Sequence, residues 1–384
     1  MILQKSIDII VDYNSWLPNP VPFDIVALGN MGQRITDVDA ALIHTALWTR
    51  PPVSLGFTLS DFWAWLRYGA AVASSPELRL KDEWRNIDPH QKTVLSDELG
   101  VGFTTQLFAE TLNFLVYADT HYVVNAVAPS WFDLGSTAKR GPRKSPDYIA
   151  IDNKLDINVL ECKGSQTSRD ELFASMSKGV DQKRNLSVST TGIAIKHSLV
   201  GGLFIPQWTK SENPLLCVRD PSWVVLLSLL EQVPREYLIA GVIQIGLAKH
   251  FALMGLTSLA TALATTKTEE LRWFLPVVDE DLDFLLPGSN DEELVFEIEH
   301  ILPITNHKVE DRPVRRVKFT MSCPRQLYYR FVRHSNILGE LLEIARRLYD
   351  LQWKTIHTDY GVIVVSPLGF TLAIEYDRPQ RAAR

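Results

Sequence analysis

Three side chains with complementary chemistry fall within seventeen residues, Asp147 to Lys163. Asp147 follows Ser145-Pro146 and opens an apolar run, Tyr148–Ile151. A second run, Ile157–Leu160, leads into Glu161-Cys162-Lys163. Short β-branched runs read as strands, and the polar stretch Asp152–Asp156 between them reads as a turn. A hairpin sets the start of the first strand against the end of the second, so Asp147 and Glu161 meet. Side chains alternate along a strand, which puts Glu161 and Lys163 on one face and Cys162 on the other. Two carboxylates on a rigid sheet can hold Mg²⁺, a hard cation that takes oxygen ligands and keeps several waters. A bound cation acidifies its water and offsets charge developing on a phosphate. An ammonium beside it can position that water or stabilise the pentavalent phosphorus. The set suits phosphodiester hydrolysis. The competing reading is an ordinary hairpin with charged ends on its solvent side.

Pro146-Asp147, followed fourteen positions on by Glu161-Cys162-Lys163, resembles the PD-(D/E)XK nuclease superfamily. The flanking order agrees. An upstream amphipathic helix carries Glu98 within Ser96-Asp-Glu-Leu-Gly-Val-Gly102, and a downstream helix, roughly 169–186, carries Gln182. Where that glutamine occurs in the superfamily, a tyrosine often stands four residues later; here the position is Leu186. The resemblance covers about residues 92–210. It implies an α/β fold: a restriction-endonuclease-like core with a central mixed sheet flanked by helices, plus N- and C-terminal additions. It implies that Asp147, Glu161 and the backbone carbonyl of Cys162 hold Mg²⁺, with Mn²⁺ able to substitute. Lys163 would orient or activate the attacking water, with Glu98 and Gln182 in supporting roles. The implied activity is DNA cleavage leaving a 5′-phosphate, in a restriction, repair or anti-phage setting, by a homo-oligomer or with partner proteins of a defence system. Two alternatives stand beside it. One is a nuclease fold that binds nucleic acid or assembles a complex without cutting. The other is a nuclease for RNA or a repair intermediate.

These residues need a scaffold, and the flanking sequence suggests one. A helix beginning near Thr93 buries Leu95, Leu99, Phe103, Leu107 and Leu112, with Glu98 beside the stripe. Gly100 and Gly102 are costly in a helix and point to close packing on a sheet. Tyr122–Ala128 is the expected first core strand. Lys139, Arg140, Arg143 and Lys144 form a basic loop directly before Pro146 that could meet a phosphate backbone. Beyond the hairpin, Glu171, Ser175, Lys178 and Gln182 share a helix face, and Lys178 and Arg184 could also reach phosphates. Leu199–Pro206 reads as the next strand.

The outer regions read as additions: 1–90 a mixed N-terminal region, 91–210 the core, 211–384 a helical block and a C-terminal α+β region. Ile7–Val11 reads as a strand, Val38–Trp48 as a helix and 58–88 as helical. Residues 221–266 read as helices broken at Pro234. Glu269–Glu299 holds eleven acidic residues, and Lys308–Arg333 holds eight basic ones interleaved with Tyr328, Tyr329 and Phe331. The latter suits either a nucleic-acid surface or pairing with the acidic segment. Asn336–Tyr349 reads as an amphipathic helix, and 361–376 as a closing hairpin turned at Ser366-Pro-Leu-Gly369.

The totals set outer limits. The 384 residues are 46% hydrophobic and 22% charged, with ten Trp and sixteen Phe, ample for a sizeable core. A net charge of −6 excludes a global field that gathers nucleic acid, so any such surface must be local. Cys162, Cys217 and Cys323 are too scattered for a zinc site or disulfide frame, which suits a cytoplasmic setting. The N-terminus lacks the pattern of a signal peptide. Leu238–Thr265 is interrupted by Gln244, Lys249 and His250, so it reads as buried helix and not as a membrane span. No nucleotide-binding loop or helicase motif is present, so a built-in motor is not expected.

Overall fold

The computed structural model describes residues 4–17, 19–53, 68–127, 146–183, 195–220, 234–268, 286–287, 295–309, 312–333 and 336–377. Its centre is a seven-stranded mixed sheet in the order β2-β1-β7-β6-β5-β4-β3. The strands are β1 (Gln4–Val11), β2 (Gln33–Asp37), β3 (Phe114–Asp119), β4 (Tyr148–Asp152), β5 (Ile157–Ser165), β6 (Ile195–Phe204) and β7 (Leu215–Arg219). Strands β3, β4 and β5 form an antiparallel meander, and β6 returns parallel to β5. The parallel step needs a crossover, supplied by helix α5 below. The sheet continues through β7 to the N-terminal strands, so the segment before residue 91 shares one sheet with the core.

Helices α1 (Phe23–Asn30), α2 (Val38–Thr49), α3 (Pro89–Thr111), α4 (Thr120–Val127) and α5 (Arg169–Lys183) surround it. Helix α3 starts four residues before the sequence expectation. The Asp88 side chain accepts the His90 N–H at 2.8 Å, and Pro89 opens the helix, an arrangement in which proline loses no hydrogen bond. The apolar stripe of α3 is buried as expected, from Leu95 to Leu112. Its glycines explain the close packing. A Cβ on Gly100 would lie 2.6 Å from the Lys163 carbonyl oxygen, and one on Gly164 would lie 1.7 Å from that of Ser96. On the opposite face of the sheet, Leu172 and Met176 of α5 pack on Val200 and Phe204.

Two expectations fail. The first core strand is Phe114–Asp119, and the expected strand 122–128 is helix α4 through Val127. An unbroken apolar run such as Phe114–Ala118 has no periodicity that separates strand from helix. In α4, Val123 and Val127 pack beside Gly241 of a later helix, and that packing overrides their β-propensity. The expected helix over 58–88 is also absent from its described part. Beyond Tyr68, which is helical, residues 69–88 contain as helical turns only the 3₁₀ turns Gly69–Ala71 and Asp82–Asn86. Ser75-Pro76 disfavours helix, and this stretch instead bridges Ser6 and Gln207 in extended form. The segment 54–67 lies outside the described residues.

The C-terminal region begins with buried helices α6 (Arg235–Leu253) and α7 (Thr257–Thr265), after the break at Pro234. A second sheet follows, β11-β12-β13-β10-β9-β8. It comprises β8 (Leu286–Pro287), β9 (Val295–Val309), β10 (Arg312–Pro324), β11 (Lys354–Thr358), β12 (Gly361–Val365) and β13 (Thr371–Tyr376). Helices α8 (Arg325–Arg333) and α9 (Ile337–Leu348) lie between β10 and β11. The closing hairpin is present, with Gly369 at φ +90° in its turn. The surface reading of the aromatic residues near Arg330 fails for two of them: Tyr328 and Phe331 are fully buried. Arg330 instead pairs with Glu340 at 3.4 Å. The two regions are tied by buried polar bonds, Tyr376 Oη to Asp39 at 2.6 Å and Trp353 Nε1 to the Leu115 carbonyl at 2.9 Å. Among the described residues no helix is long and apolar enough to cross a membrane.

Candidate active site

The β4–β5 hairpin is held by its turn. Both Lys154 N–H and Asp156 N–H donate to Asp152 Oδ1 at 2.9 Å, and Leu155 takes φ +61°. That turn sets the register: Tyr148 lies opposite Leu160, so the next residues outward, Asp147 and Glu161, face each other on one side of the sheet. Two bonds lock them reciprocally. Asp147 N–H donates to Glu161 Oε2 at 3.1 Å, and Cys162 N–H donates to Asp147 Oδ2 at 2.8 Å. The Lys163 ammonium forms an ion pair with Glu161 Oε1. The three expected side chains are therefore gathered at one end of the sheet. Glu161 is buried, while Lys163 keeps 21% of its side chain exposed.

The electrostatics follow from this crowding. Burial, and next the Glu161 carboxylate, push the Asp147 carboxyl up to about 7; Lys163 and the Cys162 N–H oppose the shift. Burial works against the charge on Lys163, but Glu161 and Asp147 outweigh it and hold its pKa above the usual lysine range. Two carboxylates pressed together repel each other, and a cation between them would remove that penalty. The donors fit a hard cation. Both side chains offer oxygen. The Cys162 N–H points at Asp147, and in a strand the carbonyl of the same residue points to the same side. Among the described residues no three His, Cys, Asp or Glu side chains cluster to hold a metal. Two carboxylates, a carbonyl and waters match the habit of Mg²⁺ more than that of Zn²⁺.

The remaining expected residues are placed less closely. Glu98 accepts the Tyr68 hydroxyl. Beside it on α3, Asp97 senses Lys163: burial raises its pKa, and Lys163 opposes the rise. The backbone of Lys178 and Gln182 belongs to α5, but their side chains lie outside the described residues, as do Lys139, Arg140, Arg143, Lys144 and Arg184. Two groups near the site went unread in the sequence. Asp119 ends β3 and contributes to the raised pKa of Asp147. Lys249 of α6 pairs with Asp119 at 2.7 Å. The signal for them was a lysine inside a mostly apolar helix. No protein-family model, curated protein or solved structure matches the chain.

Proposed function

We propose that the protein is a Mg²⁺-dependent endonuclease that hydrolyses DNA. The observation that carries this reading is the facing pair Asp147–Glu161 with the Lys163 ammonium beside it. The order of elements from α3 onward supports it: a helix before the β3–β5 meander, carboxylates brought together by the β4–β5 hairpin, then a crossover helix, as the superfamily resemblance implies for a restriction-endonuclease-like core. Asp147, Glu161 and the Cys162 carbonyl would hold the cation. When bound, it supplies an acidified water and offsets charge on the phosphate. The Cys162 N–H fixes the orientation of the Asp147 carboxyl. Lys163 orients the attacking water and donates toward the phosphate oxygens. The resemblance extends the proposal to restriction or anti-phage defence in a cytoplasmic setting, with a second copy or partner proteins.

The test is incubation of the full chain with plasmid, linear and single-stranded DNA and with RNA, with and without Mg²⁺ or Mn²⁺. Metal-dependent cleavage of DNA is expected, reduced at least ~10²-fold in Lys163→Ala, the usual scale for a positioned proton-transfer group. Failure to cut any DNA, or undiminished cutting by Lys163→Ala, defeats the proposal.

Cation binding should also depend on pH. With the Asp147 carboxyl pushed up to about 7, a proton occupies the site below that pH and must leave when the cation binds. Mn²⁺ affinity should fall roughly tenfold per unit below pH 7 and level off above pH 8. Calorimetry in buffers of different ionisation enthalpy should read about one proton released at pH 6 and almost none at pH 8.5. Affinity that stays flat from pH 6 to 8.5 would contradict Asp147 as a ligand.

A further inference from the structure

Lys249 lies one turn from the C-terminal end of α6 with its side chain fully buried. Its ammonium donates to the Trp48 carbonyl at 2.8 Å and the Arg50 carbonyl at 2.7 Å, and pairs with Asp119 at 2.7 Å. Trp48 and Arg50 stand at the C-terminal end of α2, where carbonyls lack intrahelical partners and carry partial negative charge. Capping accounts for those two bonds. It does not account for the third, and burying a lysine is a costly way to cap a helix.

The third bond points toward the candidate site. Asp119 is the last residue of β3, lies opposite Tyr148, and keeps 26% of its side chain exposed. The next residue, Thr120, donates its N–H to the Asp147 carbonyl at 3.1 Å. The Tyr148 hydroxyl donates to the same Trp48 carbonyl that Lys249 uses, at 2.9 Å. The two backbone neighbours of Asp147 are thus both tied to the point where Lys249 sits: Thr120 through Asp119, and Tyr148 through Trp48.

We propose that Lys249 is a positioning residue for the candidate site, acting through Asp119. By clamping the end of β3 to the end of α2, it holds the Thr120 N–H on the Asp147 backbone, and thereby the Asp147 carboxyl on the Cys162 N–H. Lys249 then links the helical block after residue 234 to the site. The inference deepens the reading of Asp147 as a cation ligand and rests on it for its purpose.

The experiment compares wild type, Lys249→Met, Asp119→Asn and Tyr148→Phe as full chains. Hydrogen exchange is followed at the amides of Thr120 and Cys162, with Leu199 and Val200 of β6 as reference. Mn²⁺ affinity is measured by calorimetry without nucleic acid. Lys249→Met and Asp119→Asn should each speed exchange at Thr120 and Cys162 about tenfold and leave β6 unchanged. Both should weaken Mn²⁺ about tenfold, the scale of groups that orient metal ligands. Tyr148→Phe removes a bond to the same carbonyl but keeps the ion pair, so Cys162 exchange should hold at the wild-type rate. If Lys249→Met does not fold, Asp119→Asn, which keeps the lysine cap on α2, decides the matter. Unchanged exchange at Thr120 and Cys162 in the folded variants overturns the inference. Faster exchange in a protein whose wild type binds no Mn²⁺ upholds the clamp and sinks the cation site instead.

Discussion

Asp147→Asn should abolish metal-dependent cleavage and at the same time make the protein more stable. The asparagine has nearly the same shape. Its carbonyl can still accept the Cys162 N–H, and its amide can donate to Glu161, which now receives the Asp147 N–H at 3.1 Å. One of two facing charges is gone, and with it half of the proposed side-chain cation ligands. A loss of at least ~10³-fold in cleavage rate is expected, about 4 kcal/mol of transition-state stabilisation. The gain in stability follows from linkage. Folding raises the Asp147 pKa from the usual 3.8 to about 7. The folded chain therefore binds this proton more tightly than the unfolded chain does. The stabilisation from that proton is present at low pH and fades as the pH rises through 7. At pH 8 the wild type bears the full repulsion and the asparagine variant does not. An advantage of about 1–3 kcal/mol in metal-free buffer at pH 8 is expected, discounted for the side chain's partial exposure. It should shrink toward pH 5. Calorimetric melting in chelator reads it directly; a lower melting temperature at pH 8, or preserved cleavage, would count against the facing pair.

Gly164→Ala should be among the most damaging single methyl groups that can be added to this chain. The new Cβ would sit 1.7 Å from the Ser96 carbonyl oxygen and 3.1 Å from the Asp97 nitrogen. Both are helix backbone, so no side-chain rotation relieves the overlap, and α3 must move off β5. Overpacking of this kind costs about 3 kcal/mol. Cleavage should fall as well, because Gly164 follows Lys163 directly and the helix that retreats carries Asp97. Gly201→Ala is the control. Its Cβ would meet the Thr104 side chain at 2.2 Å, which can rotate, and a cost of about 1 kcal/mol is expected. Urea midpoints of the two variants separate these cases. Equal midpoints would mean that the close approach of α3 to β5 is not what Gly164 secures.

The candidate site was largely legible because its residues are local. Asp147 and Glu161 belong to one hairpin, and the Asp152 turn sets their register, so alternation alone brings them together. Leu95 to Leu112 gave α3 by spacing, and Gly100 hinted at the packing it makes. Longer-range relations were not legible. Phe114–Ala118 is buried on both faces and has no alternation to read. Val123 and Val124 favour a strand locally, and only packing beside α6 makes them helical. The influence of Lys163 on Asp97 is not legible either, since neither spacing nor burial on a helix reveals it. Asp119 and Lys249 are 130 residues apart, and nothing short of the fold pairs them. The same holds for β1 and β7.

That last pairing has a consequence for how the chain is made. Strand β1, residues 4–11, hydrogen-bonds in parallel with β7, residues 215–219. The β7-side edge of β1 thus waits for its neighbour until roughly two hundred further residues have been synthesised. Strand β1 can pair early with β2, but its other edge has no partner until β7 arrives. Closing so long a loop is slow, so the growing polypeptide passes through a stage in which the β3–β5 meander can be complete while one edge of β1 is still unpaired and prone to stick to other chains.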